Sequence, residues 1–230
     1  DEEGNKTALT VNVTAKLYWW EFEYPDLGII TAQDLVVPTG EKVYFNLIAA
    51  DVKHSFWIPA VGGKMDTNVD GINKFYLQFD KESAGLNEGE GVFYGKCAEL
   101  CGPSHALMDF KVKTLEPAAF DAWVAAMKAT EGNTASADST DVGEAAFANS
   151  CLGCHAVSAV AGNGMGPNLT TFGERNRLAG FMEHNVENTT EWILDPEKYK
   201  PGNTMTGKYN VTPEEAKAIS EYLMTLTVEK

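Results

Sequence analysis

Cys97-Ala98-Glu99-Leu100-Cys101-Gly102-Pro103-Ser104-His105-Ala106-Leu107-Met108 sets two thiols, an imidazole and a thioether within twelve residues. All four are soft or borderline metal ligands. Positions 97, 101 and 105 would share one face of a helix, but Gly102-Pro103 argues for a loop. Met108 then opens a strand in phase with Phe110 and Val112, which points its thioether toward a core.

The sequence upstream of this loop reads as β. Leu9, Val11, Val13, Ala15 and Leu17 alternate with polar residues, and the alternation changes phase to Trp20, Phe22 and Tyr24, which predicts a bulge near Tyr18-Trp19. Lys42–Ala49, Lys74–Phe79, Val92–Tyr94 and Met108–Leu115 are further strand candidates. Pro38-Thr39-Gly40 and the Gly/Asn/Glu-rich run from Gly85 to Gly91 supply turns, so a sandwich or barrel is expected. Downstream, Pro117 opens a helix whose apolar face is Phe120, Trp123, Val124 and Met127. Residues 130–140 then lack large apolar side chains and read as a flexible linker. The remainder reads as α. Its last helix carries a capping box at Thr212-Pro213-Glu214-Glu215 and an apolar face of Ile219, Tyr222, Leu223 and Leu226.

The second half holds Cys151-Leu152-Gly153-Cys154-His155, the C-x-x-C-H spacing of covalent haem attachment. Two thiols on one turn each form a thioether to a vinyl group, and the adjoining imidazole reaches the iron. A thioredoxin-like pair would need a strand–helix context, and a zinc site would need two more ligands nearby. Neither is present in this half.

The surroundings resemble the cytochrome c family. Gly143, Phe147 and Cys151 recur at four-residue intervals, and Gly166-Pro167-Asn168-Leu169 is similar to the loop whose proline carbonyl orients the proximal histidine. That resemblance implies His155 as one iron ligand and a methionine before the final helix as the other. Met205 holds that place, with Met165, Met182 and His184 as competitors, the last two in a stretch expected to be helical.

Three readings fit the Cys97–Met108 loop. A Cys97–Cys101 disulfide leaves His105 and Met108 without a role. Tetrahedral zinc makes little use of a thioether. A pair of coppers bridged by both thiolates uses every residue, with His54 as the additional imidazole.

Trp20-Glu21-Phe22-Glu23-Tyr24, Asp51-Val52-Lys53-His54-Ser55-Phe56-Trp57-Ile58-Pro59, Gly63-Lys64-Met65-Asp66 and Tyr94 through Met108 together resemble the copper domain of cytochrome c oxidase subunit 2. With a cytochrome c half following, the chain is similar to the caa3-type members of that family. The resemblance implies Cys97 and Cys101 as bridges between two coppers, His54 and His105 as one ligand each, and Met108 and the Glu99 carbonyl as weak ligands. It also implies magnesium at the contact with the catalytic subunit, held in part by the Glu99 carboxylate. The family's exposed tryptophan, where electrons enter, aligns with Tyr18, with Trp19 and Trp20 beside it.

The expected architecture is therefore an all-β, cupredoxin-like domain over residues 1–129, a linker over 130–140 and an all-α class I cytochrome c fold over 141–230. The expected function is electron transfer in a terminal oxidase, from haem c to the copper pair and on to haem a of subunit 1, where oxygen is reduced. Other membrane subunits accompany subunit 1, and the upstream donor is a quinol-oxidising complex or a soluble cytochrome c. The alternative is the electron-accepting subunit of a copper-containing nitric oxide reductase. A copper-delivery protein would be thioredoxin-like and would have no use for haem. The family sits on the extracytoplasmic face of a bacterial plasma membrane, anchored by N-terminal helices that this sequence lacks; no stretch approaches the ~18 apolar residues of a span.

Net charge is −15, with 11 basic and 19 acidic residues in 1–130 and 7 and 14 in the rest. Such a surface repels phosphate backbones, which argues against nucleic acid. Both halves being acidic, their mutual docking is expected to rest on the tether rather than on charge.

Overall fold

The computed structural model describes residues 8–86, 91–160 and 165–228. The middle of the expected Gly85–Gly91 turn lies outside them. Among the described residues, ten strands build the first half: β1 (Thr10–Lys16), β2 (Trp19–Tyr24), β3 (Ile29–Ala32), β4 (Asp34–Pro38), β5 (Lys42–Ala49), β6 (His54–Trp57), β7 (Met65–Thr67), β8 (Asn73–Gln78), β9 (Phe93–Cys97) and β10 (Asp109–Leu115). They form two five-stranded sheets in the orders β3-β2-β1-β5-β8 and β4-β10-β9-β6-β7. This is a cupredoxin-like sandwich.

Alternation sets which face of each strand turns inward. Val11, Val13 and Ala15 of β1 are fully buried, and β1 lies parallel to β5 with Val13 opposite Leu47. The phase change at Tyr18-Trp19 is a chain reversal rather than the expected bulge. β1 and β2 are antiparallel, with Lys16 opposite Trp19 and Val13 opposite Phe22. Each strand therefore keeps its own period of two, and both send apolar side chains inward. Between the sheets Phe56 stacks on Phe110 at 4.9 Å and 16°, with Trp20 5.3 Å from Phe110 and Phe45 5.4 Å from Phe56. These rings form the wall behind the Cys97–Met108 loop.

Helix α1 (Pro117–Lys128) closes the sandwich with Phe120, Trp123 and Met127, and Trp123 meets Tyr24 edge-on at 5.5 Å. The segment after it is held, not loose. Thr130 Oγ1 donates to Met127 O and accepts from the Ala159 amide, Ala135 is buried in the second core, and Ser139 Oγ donates to Glu144. Small side chains and hydroxyls anchor it, and these leave no hydrophobic pattern for a composition-based reading to detect.

The second half contains α2 (Val142–Ser150), a two-stranded ribbon β11 (Arg177–Leu178) and β12 (Met182–Glu183), α3 (Val186–Leu194), α4 (Pro196–Tyr199) and α5 (Pro213–Met224). The capping box at Thr212 and Glu215 is formed in full. α2 crosses α5 at Gly143, where a Cβ would stand 2.2 Å from Ala218 O. Only glycine permits that approach. Met182 and His184, expected in a helix, lie on and just beyond the ribbon. Ala179 and Gly180, both at positive φ, turn the chain back before a helix can start. Among the described residues no helix is long and apolar enough to cross a membrane.

Candidate metal centres

His54 on β6, Cys97 at the end of β9 and the loop leading into β10 converge behind the aromatic wall. Cys97 Sγ and Cys101 Sγ are 3.8 Å apart. His54 Nδ1 is 3.9 Å from Cys97 Sγ, and His105 Nδ1 is 3.6 Å from Cys101 Sγ. Met108 Sδ approaches Cys101 Sγ to 3.9 Å, and the Glu99 carbonyl oxygen lies 3.3 Å from Cys97 Sγ. Two sulfurs thus sit at the centre, each flanked by one imidazole and one weaker donor. The Cys101 hydrogen bond holds Cys97 well below the usual thiol range, while Cys101 itself is pushed up. Both thiols ionise together only when cations compensate the charge. The donor set therefore fits soft metal ions and uses the thioether that zinc would ignore.

Asp51, which the sequence reading passed over, orients this set. Its Oδ1 lies 2.8 Å from His54 Nε2, and its carboxylate also accepts from the Leu17 and Val52 amides. With Nε2–H donated to Asp51, His54 presents Nδ1 to the sulfurs. Its place three residues before His54 was the available signal. The ligand atoms of His54, Cys97 and Cys101 all lie within 4.8 Å of one another.

In the second half, the Cys151 and Cys154 pair lies in a turn off the C-terminus of α2, where the Cys154 and His155 amides both donate to Cys151 O. His155 Nδ1 donates to Pro167 O at 2.8 Å, which leaves Nε2 free as a ligand atom. Gly166 makes the approach feasible, since a Cβ there would be 2.7 Å from the His155 ring. Burial holds the imidazole below its ordinary pKa, in the neutral form that binds iron. Met205 sits in the loop before α5 with its amide held by Asn203 Oδ1 at 2.9 Å. Of its competitors, Met165 is 78% exposed, and His184 packs edge-on to Phe172 at 4.8 Å.

Residues 29–115 match the family model of the cytochrome c oxidase subunit II periplasmic domain, and residues 141–227 match that of cytochrome c. The two halves belong to these two families. Cytochrome c oxidase subunit 2 from Bacillus sp. (strain PS3) is 57% identical over the whole chain, and that from Bacillus subtilis (strain 168) is 54% identical. The chain spans 65% and 66% of the length of these relatives. A crystal structure of the periplasmic domain of subunit II of cytochrome oxidase from Bradyrhizobium japonicum is 31% identical, covers 53% of this chain and 94% of its own, and has a TM-score of 0.46. A subunit II domain implies copper and a cytochrome c domain implies haem.

The subunit II domain does not expose the aromatics expected at its surface. Tyr18 and Trp19 are 4% and 7% exposed, and Trp20 is fully enclosed, donating Nε1–H to Met108 O. Tyr18 lies under the cytochrome c domain: a Cβ on Gly202 would be 3.4 Å from its hydroxyl, and one on Gly102 of the copper loop 2.4 Å. The surface expected to receive electrons is therefore covered by the chain's own second domain. Sequence alone could not reveal that covering, because the contacting residues lie more than 180 positions away.

Proposed function

We propose that this chain is the electron-transfer subunit of a terminal oxidase, taking electrons on haem c and delivering them through a two-copper centre to haem a of a catalytic subunit that reduces oxygen to water. Cys97 and Cys101 bridge the coppers, His54 and His105 bind one each, and Met108 and the Glu99 carbonyl are weak ligands. Cys151 and Cys154 attach the haem, with His155 and Met205 on its iron. The single observation that carries the reading is the convergence of four further donors on the Cys97–Cys101 pair in a chain that also holds a C-x-x-C-H turn with its histidine oriented.

What the chain's own residues contribute is rigidity. Asp51 fixes one imidazole through its carboxylate, itself held by the Leu17 and Val52 amides, and Pro167 fixes another through its main-chain carbonyl. The haem and coppers supply the one-electron chemistry; the protein supplies position and exclusion of side reactions. Tyr18, wedged between the Gly102 and Gly202 loops, is the residue best placed to receive electrons, with Trp19 and Trp20 behind it.

The division into 1–129, 130–140 and 141–230, the extracytoplasmic location, the membrane anchor and the partnership with subunit 1 belong to the same proposal. So does magnesium at the Glu99 carboxylate, beside Leu100, which is 78% exposed and free to meet a partner. Metal analysis with electron paramagnetic resonance tests the reading. Two coppers and one iron per chain, with one unpaired electron shared by equivalent copper nuclei, are expected. A single copper with one-nucleus hyperfine splitting would refute the copper assignment.

A further inference from the structure

Buried lysine and arginine side chains hold the two domains together by donating to carbonyls across the boundary. Lys111 Nζ donates to Gly180 O at 3.0 Å, an Arg175 nitrogen to Ala32 O at 3.2 Å, and Lys200 Nζ to Tyr18 O at 2.7 Å. All three residues are at most 6% exposed. Burying such groups is costly unless they are hydrogen-bonded, so each contact penalises separation. Arg175 Nε also lies 3.9 Å from Asp34 Oδ2 across the same boundary, so opposite charges meet there.

Lys200 differs from the other two in what its backbone carries. Asn203 Nδ2 donates to Lys200 O at 2.9 Å, and the Met205 amide donates to Asn203 Oδ1 at 2.9 Å. The side chain of Lys200 spans Tyr18 O in the first domain and Ala179 O in the second, each at 2.7 Å. Between these points Ser104 Oγ–H, one residue from His105, donates to Pro201 O at 2.7 Å. Gly202 rests against Pro103, where a Cβ would be 3.3 Å from Cγ. The loop that ends at Met205 is thus fastened to the loop that holds His105.

On the reading above, in which Met205 ligates iron and His105 copper, we infer that Lys200 is a positioning residue that pins the iron-ligand loop to the copper domain. The two redox sites then exchange electrons across a fixed contact and not by repeated docking on a tether. A hydrocarbon side chain of similar length would leave Tyr18 O buried, and Ala179 O partly buried, without their donor.

The test follows flash-induced haem-to-copper transfer in the holo-protein at rising sucrose concentration, together with hydrogen exchange at Ile30. The Ile30 amide reports the interface because it donates to Ala159 O, across the boundary, at 2.8 Å. In the unsubstituted protein the rate should stay level with viscosity and Ile30 should be protected. Lys200→Met should lower the docking equilibrium about 10-fold, from the loss of the one Lys200 hydrogen bond that crosses the boundary. That loss reads as equally faster exchange at Ile30 and as transfer that slows with viscosity, while copper and iron content and the copper spectrum stay unchanged. Transfer that slows in proportion to viscosity in the unsubstituted protein, or Ile30 exchange unaltered by Lys200→Met, overturns the inference. Missing copper or iron would instead defeat the proposed function, and Ile30 exchange would still decide whether Lys200 holds the interface.

Discussion

Replacing Gly180 with alanine measures how much of the stability resides in the contact between domains. Gly180 has φ +91°, and a Cβ there would stand 2.3 Å from Asp109 O and 2.8 Å from Gln33 Nε2, both in the other domain. Gly207 is the control, since its φ is +71° and nothing lies within 4 Å of its Cβ position. Both substitutions bear the left-handed backbone cost for alanine, about 1–2 kcal/mol. Only Gly180→Ala must also push the domains apart, by about 1 Å to reach ordinary contact, at an overpacking cost of roughly 1–3 kcal/mol. That movement also weakens the Lys111–Gly180 hydrogen bond, worth about 1 kcal/mol. Gly180→Ala should therefore exceed Gly207→Ala by about 2–4 kcal/mol, a further Tm decrease of roughly 4–16 °C for a chain of this size. Scanning calorimetry of the holo-protein provides the comparison. The endotherm should also broaden or split, because the contact that couples the two domains is the one being opened. Equal Tm shifts with an undivided endotherm would refute the reasoning.

Met205→Ala should abolish the weak long-wavelength charge-transfer band of methionine-ligated ferric haem and lower the haem potential; survival of the band, with its loss in Met182→Ala, would reassign the ligand. Asp51→Ala should weaken copper binding about 10- to 100-fold by releasing the His54 ring, as read by competition titration. An unchanged affinity would show that Asp51 does not orient the ligand. Burial, and then the Arg175 charge, push His184 down to about 4, and its Nε2 has no partner among the described residues. The unfolded imidazole, titrating near 6.5, takes its proton first as pH falls, so native stability is level above that value and declines between about 6.5 and 4. Discounted for partial exposure, the loss from pH 7 to 5 is about 1 kcal/mol. Denaturant midpoints at the two pH values should show His184→Gln removing that difference; an equal decline in both proteins would acquit His184.

Both metal motifs were legible in the sequence because their chemistry is local. Cys97, Cys101, His105 and Met108 occupy one loop, and Cys151, Cys154 and His155 one turn, so spacing alone brings their donors together. The strands β1, β5 and β10 and the helices α1 and α5 were legible for a related reason. Their periods of two and 3.6 record which face is buried, whatever they are buried against. The β1–β2 reversal was misread because a tight turn and a bulge shift the period alike, and only pairing partners distinguish them.

The sequence by itself therefore determined the two domain types, their order and nearly all of the candidate ligands. The tertiary structure alone decided how the domains meet. Lys200 and Tyr18, or Lys111 and Gly180, are far apart in sequence, and each cation's partner is a main-chain carbonyl. A carbonyl is present at every residue, so no side-chain pattern announces which one a buried cation will find. Composition counted the charges of both halves as acidic and predicted loose docking; folding buried a few basic side chains and turned them on carbonyls across the boundary, with Arg175 also facing Asp34, and a charge count records none of these pairings.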